Sequence, residues 1–202
     1  MLEADVAITD YLLTIQCLYF SFYIYKNSLN WPWVLFFASL GLASFVGGTV
    51  HGFFPNESSL SYLVLWKTTL ILTGVTALSG CYVGSAFLKN EHLANIIKKI
   101  ALVQFFLFTL VILFYSQNFF LAAVNYLPTT IFMLSMFIRA YYRIKQKSLI
   151  FAILGIFFIL LGSFIQMSKI SFHPEYFTHN ALYHALQFIA MYLLFLLSKD
   201  KV

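Results

Sequence analysis

Asp10 in ITDYLL, His51 in GGTVHGF, Lys67 in LWKTTL, and His179 and His184 in THNALYHALQ all stand inside or at the edge of apolar runs. Imidazole and carboxylate are ligands that suit Zn2+, and a catalytic zinc takes three protein ligands and keeps one position for water. His51, His184 and either His179 or Asp10 are the candidate ligands. Zinc-bound water could attack an amide or ester whose acyl chains lie in a bilayer. Asp10 and Lys67 are the candidate catalytic residues, with the lysine pairing with Asp10 or stabilising an oxyanion. Haem needs only two axial histidines, and His51 with His184 would supply them, but helices packed on glycine leave little room for a porphyrin.

The elements that must position these residues are membrane spans. Of the 202 residues, 61% are hydrophobic and 9% charged, and the mean hydropathy is +0.86. Soluble domains carry roughly a quarter charged residues, so the composition predicts an integral membrane protein. A net charge of +5 would suggest nucleic acid in a soluble chain. Here the basic residues sit in short connections between apolar runs, which excludes nucleic acid and leaves membrane lipids as the surroundings. Cys17 and Cys81 both fall inside apolar runs, so they form neither a disulfide framework nor a CxxC metal knuckle. MLEADVAITDYLL has no basic flank, so the first run reads as retained and not as a cleaved signal.

A helix needs about 20 apolar residues to cross the hydrocarbon core. Seven runs meet or approach that length: Ala7 to Tyr25, Trp31 to Phe54, Leu60 to Leu88, Ile100 to Tyr115, Asn118 to Ile138, Ser148 to Gln166, and Thr178 to Leu197. No internal repeat divides them. The fold class is therefore all-α, a polytopic seven-helix transmembrane bundle forming a single domain over residues 1–202. Ten of the twelve Lys and Arg residues, among them Lys89, Arg139, Arg143 and Lys201, lie in alternate connections or the C-terminal tail. The excess of cations marks the cytoplasmic side, so the N-terminus is expected outside and the C-terminus inside. In a bacterium the location would be the cytoplasmic membrane.

Polar residues inside a span are costly and generally face the bundle interior. Asp10, His51, Lys67, Asn125, Gln166, His179, Asn180, His184 and Gln187 all map to the half of the chain's spans nearest the outer side. That shared depth predicts an outward-facing polar pocket, with Asn125, Gln166, Asn180 and Gln187 as pocket residues. At about 100° per residue, Asn180, His184 and Gln187 share one helix face. His179 and His184 diverge by roughly 140° on a regular helix and do not form an i, i+4 metal motif. Thr178 suits an N-cap and Pro174 a helix start. Gly47, Gly48 and Gly52 around His51 suit close helix packing, and Pro128 suits a kink that frees backbone carbonyls beside Asn125.

Seven spans, a histidine late in the second and a histidine motif opening the seventh resemble the membrane hydrolase superfamily of alkaline ceramidases and adiponectin-receptor-related proteins. The resemblance is one of layout over nearly the whole chain. It implies a zinc site from one histidine on the second helix and an HxxxH pair on the seventh, with serine and aspartate nearby. His51 and His184 match that pattern. Asn180 stands where the first histidine of HxxxH is expected, Gly47 where the serine is expected, and the third helix carries Lys67 and no aspartate. TD in the first helix, GGTVHGF and HNALYHALQ are also similar to a family of uncharacterised small bacterial membrane proteins. Three functions follow from these residues: a zinc-dependent hydrolase of a lipid amide or ester, a non-enzymatic protein that binds a small ligand or relays protons, and a structural membrane subunit. Oligomeric partners are not specified by any motif.

Overall fold

The computed structural model describes residues 3–200, and all regular structure among them is helical apart from one isolated bridge between His173 and Phe177. Lys201, counted above toward orientation, lies outside the described residues. The helices are α1 (Ala4–Asn27), α2 (Trp31–Phe53), α3 (Leu60–Ser85), α4 (Glu91–Phe114), α5 (Phe119–Ile144), α6 (Lys147–Met167) and α7 (His179–Ser198). Each of the seven is long and apolar enough to cross a membrane.

The helix starts follow from local chemistry. Ser59, Asn90, Asn118 and Thr178 occupy N-caps, where their side-chain oxygens accept backbone N–H groups of the first turn. Pro32 lies in the first turn of α2, where a missing N–H costs nothing. Pro174, by contrast, sits in the α6–α7 connection and starts no helix, because Thr178 caps α7 four residues later.

α4 and α5 extend furthest beyond the runs that hydropathy predicts. α4 begins at Glu91 rather than Ile100, because Asn90 caps it and the charged side chains of its first turns remain exposed. α5 continues past Ile138 to Ile144 with Arg139, Tyr142 and Arg143 on its exposed face. It stops where Lys145 takes a left-handed φ of 54°, a conformation that ends helices. α5 also continues through Pro128.

Six helices close a ring in the order α1, α2, α3, α5, α6, α7 and back to α1, while α4 packs on the outside of α3 and scarcely touches α5. At the end holding the α1–α2, α3–α4 and α5–α6 connections, the ring is filled by aromatic side chains. Phe20 stacks on Phe195 at 3.9 Å, and Phe37 meets Trp33 at 5.7 Å. At the other end, α2 and α3 turn small residues inward, including Ala43, Ser44, Gly47, Thr73 and Ala77, and the ring is hollow.

Candidate functional site

A cavity of about 490 Å³ occupies the hollow end. Its deep wall is apolar, formed by Phe36, Leu40, Met133, Ile156, Ile159 and Met191. Toward the mouth the wall turns polar, with Glu3, Asp10, His51, Gln166, His179 and His184.

Glycine brings the first polar group into place. A Cβ on Gly48 would lie 2.9 Å from the Cβ of Asp10, and one on Gly47 would lie 3.5 Å from its Oδ2. α1 therefore rests directly on the α2 backbone, with the buried Asp10 turned toward the ring interior. On the neighbouring α7, His184 Nδ1 lies 3.5 Å from Asp10 Oδ1 and 3.4 Å from Thr9 Oγ1.

A second acid–imidazole pair stands nearer the mouth. His51 Nδ1 lies 2.6 Å from Glu3 Oε2, and the Glu3 N–H donates to the His51 carbonyl at 3.1 Å. The imidazole beside Glu3 holds its carboxyl below the ordinary range, against the opposing effect of burial. The indole ring of Trp66 meets His51 edge-on at 5.9 Å. Asp5, one turn before Thr9, accepts both the N–H and the hydroxyl of Thr178 through Oδ2, at 2.8 and 2.7 Å. The start of α1 is thus tied to the end of α2 and to the cap of α7.

Asn180, His184 and Gln187 all line the cavity, as their shared helix face predicts, and His179 joins them at the mouth. Gln166 donates to Asn180 Oδ1 at 3.2 Å, while its own Oε1 is buried without a partner among the described residues. Gln187 donates to the Tyr183 hydroxyl. His173 lies in the α6–α7 connection, accepting the N–H groups of Glu175 and Tyr176.

Two predicted site residues stand elsewhere. Lys67 turns away from the cavity and donates to the Leu113 carbonyl at 2.8 Å, at the C-terminal end of α4. The unsatisfied carbonyls of a helix terminus attract a cation, and Lys67 does not line the cavity that Asp10 lines. Asn125 faces α4, where Gln104 Nε2 donates to its backbone oxygen at 2.9 Å and its side-chain oxygen at 3.0 Å. Depth alone placed both residues with the others. Depth does not fix the direction in which a side chain leaves its helix.

Sequence reasoning also missed cavity residues. Glu3 precedes the first apolar run and looks like a solvent-exposed terminus. Thr69, Thr73 and Thr76 line the cavity from α3, and their spacing of four and three puts them on one face, a signal that could have found them. Tyr126 lines the cavity from α5 and reaches across to α6 through its hydroxyl, 2.6 Å from Ser163 Oγ.

The donor set can be compared with what zinc requires. With Nδ1 of each histidine facing a carboxylate, Nε2 is the ring nitrogen left for a metal, which is how ligating histidines are commonly oriented. Yet among the described residues no three His, Cys, Asp or Glu side chains converge as a metal-holding group. Asn180 instead engages Gln166.

One protein-family profile, a family of unknown function, DUF6962, matches residues 6–201. The chain belongs to DUF6962. No curated protein and no solved structure matches it. The DUF6962 match takes in Asp10, His51 and the whole of α7, but begins after Glu3. The acid of the buried pair is therefore part of the DUF6962 region, whereas the acid at the mouth precedes it. None of the three comparisons links the chain to the ceramidase and adiponectin-receptor-related hydrolases.

Proposed function

We propose that this chain is a multi-pass membrane protein that binds a small amphipathic molecule in the ring cavity. The molecule's polar head lies at the two acid–imidazole pairs and its apolar part lies against the deep wall. The observation that carries this reading is the graded cavity itself: about 490 Å³, within the range of roughly 300–1,000 Å³ common to small-molecule sites. A subunit whose polar groups only joined helices would gain nothing from leaving that space unfilled.

The N-terminus and cavity mouth face outward and the C-terminus lies in the cytoplasm. This orientation is supported by the basic residues at the filled end, including Lys26, Lys89, Arg143 and Lys199. Cysteine labelling tests it: Ser58→Cys should react from outside and Gln146→Cys from inside. Cys17 and Cys81 are buried, so background reaction is low, and the reverse pattern would overturn the orientation.

Binding is tested by thermal shift in detergent with single-chain amphipaths bearing neutral, anionic or cationic heads. At least one should raise the melting temperature saturably in the wild type but not in Ala43→Leu, which fills the cavity from α2. If none does so, ligand binding in the cavity fails as a reading.

A second reading is a zinc-dependent hydrolase of a lipid amide or ester. It is favoured by one observation, the carboxylate facing Nδ1 of both His51 and His184. These two histidines would hold the ion through Nε2, with a third ligand drawn from His179, water or substrate. Elemental analysis without chelators decides the matter. Stoichiometric zinc that is lost in His51→Ala, His184→Ala supports the hydrolase, and a metal-free, folded wild type ends it.

A further inference from the structure

α4 is the one helix outside the ring, and its separation from α5 leaves an open groove of about 620 Å³ on the flank of the molecule. Sequence and packing account for its shape. Gly74 lets α4 seat Phe108 and Phe105 against α3, where an added Cβ would lie 2.8 Å from the Phe108 ring. α4 thereby leans on α3, and Gln104 with Asn125 pins it to α5. Beside that pin, Ile100, Val103, Leu107 and Val111 form one wall and Leu121 and Val124 the other, with Lys99 at one end.

We infer that this groove holds one acyl chain of an anionic membrane phospholipid whose headgroup is bound at Lys99. Length and charge both favour that occupant. From Lys99 to Val111 the helix rises about 18 Å at 1.5 Å per residue, close to the roughly 15 Å of one leaflet in a 30 Å hydrocarbon core. Lys99 lies toward the end of the bundle that carries the basic connections, where Lys89 and Lys98 add positive charge. Lys98 is occupied over the Tyr82 ring at 5.6 Å. Lys99 is exposed and has no carboxylate partner among the described residues. The apolar wall leads directly to a cation, which is the order of parts in an anionic phospholipid. A partner helix would need a longer, two-sided apolar seam, and here the α5 wall ends at Asn125.

Native mass spectrometry of the full chain in mild detergent tests this site. Phosphatidylglycerol and phosphatidylcholine with identical chains are the probes. The Ala43→Leu background is used so that the ring cavity retains neither. One phosphatidylglycerol per chain should be kept, with a several-fold preference over phosphatidylcholine. Val103→Trp and Leu107→Trp fill the groove at positions that are 58% and 59% exposed, so the fold should survive while the retained lipid disappears. Lys99→Glu should keep a lipid and lose the preference. Retention unchanged in both tryptophan variants would overturn the site, and equal retention of the two lipids or a preference that survives Lys99→Glu would overturn its charge selectivity. A dimer that Val103→Trp dissociates would assign the groove to a second copy of the chain instead.

Discussion

The two ends of the ring use the same six helices and reach opposite results. At the filled end, Phe20, Phe37, Phe137, Leu194 and Phe195 belong to one buried apolar cluster, with Phe20 stacked on Phe195. At the hollow end, the same α2 and α3 present alanine, serine, threonine and glycine inward, and the space stays open. Side-chain size along these two helices differs between scaffold and site. Interiors pack nearly as densely as organic crystals, so an unfilled volume lined by paired polar groups is a feature the rest of the ring must sustain.

The largest expected effect lies at the filled end. Phe37→Ala removes a side chain that is 0% exposed and should cost about 3–5 kcal/mol, read as a lowered unfolding midpoint in mixed micelles. A loss comparable to that of a surface substitution would mean that the aromatic end is not what holds the ring.

Next is a matched pair of enlargements. Ala190→Leu, at a site with no exposure, overpacks the filled end and should cost about 1–3 kcal/mol. Ala43→Leu expands into the cavity and should leave stability nearly unchanged while abolishing amphipath binding. Equal costs would erase the distinction between the two ends. Gly48→Ala belongs in the same range of about 1–3 kcal/mol, because its Cβ would press on Asp10. It should weaken amphipath binding as well, through the displaced acid, and an unaffected affinity would count against Asp10 as part of the site.

The smallest effect is at the mouth, where Glu3 is partly exposed and screened by solvent. Its carboxyl is held below the ordinary value of 4.5 by His51. A depressed pKa contributes stability that is fully present above the ordinary value and is lost as pH falls through the lowered one. Glu3→Gln should therefore lower the melting temperature slightly at neutral pH, and the difference should vanish in acid below the carboxylate range. A difference that persists in acid would assign Glu3 a role independent of its charge.

Much of this was legible from the residues. Hydropathy located all seven helices, and the three-residue break Ser116–Asn118 correctly separated α4 from α5. Helical spacing put Asn180, His184 and Gln187 on the cavity face. What was not legible depended on contacts across the fold. Lys67 and Asn125 lie at suitable depths but leave their helices toward α4, and no local pattern states which neighbour a buried side chain will meet. Glu3 was missed for the converse reason: its partner is His51, on the next helix, and a terminal glutamate outside an apolar run has no periodicity to read.

The contact between Thr9 and His184 joins residues 175 positions apart, and Asp10 beside it meets the same imidazole. A ribosome makes α1 before α7, so Asp10 has no His184 imidazole beside it until α7 has been made. The ring can close only then, and contacts of such long sequence separation form slowly. A chain that stops short of α7 leaves Asp10 without the imidazole it meets in the closed ring.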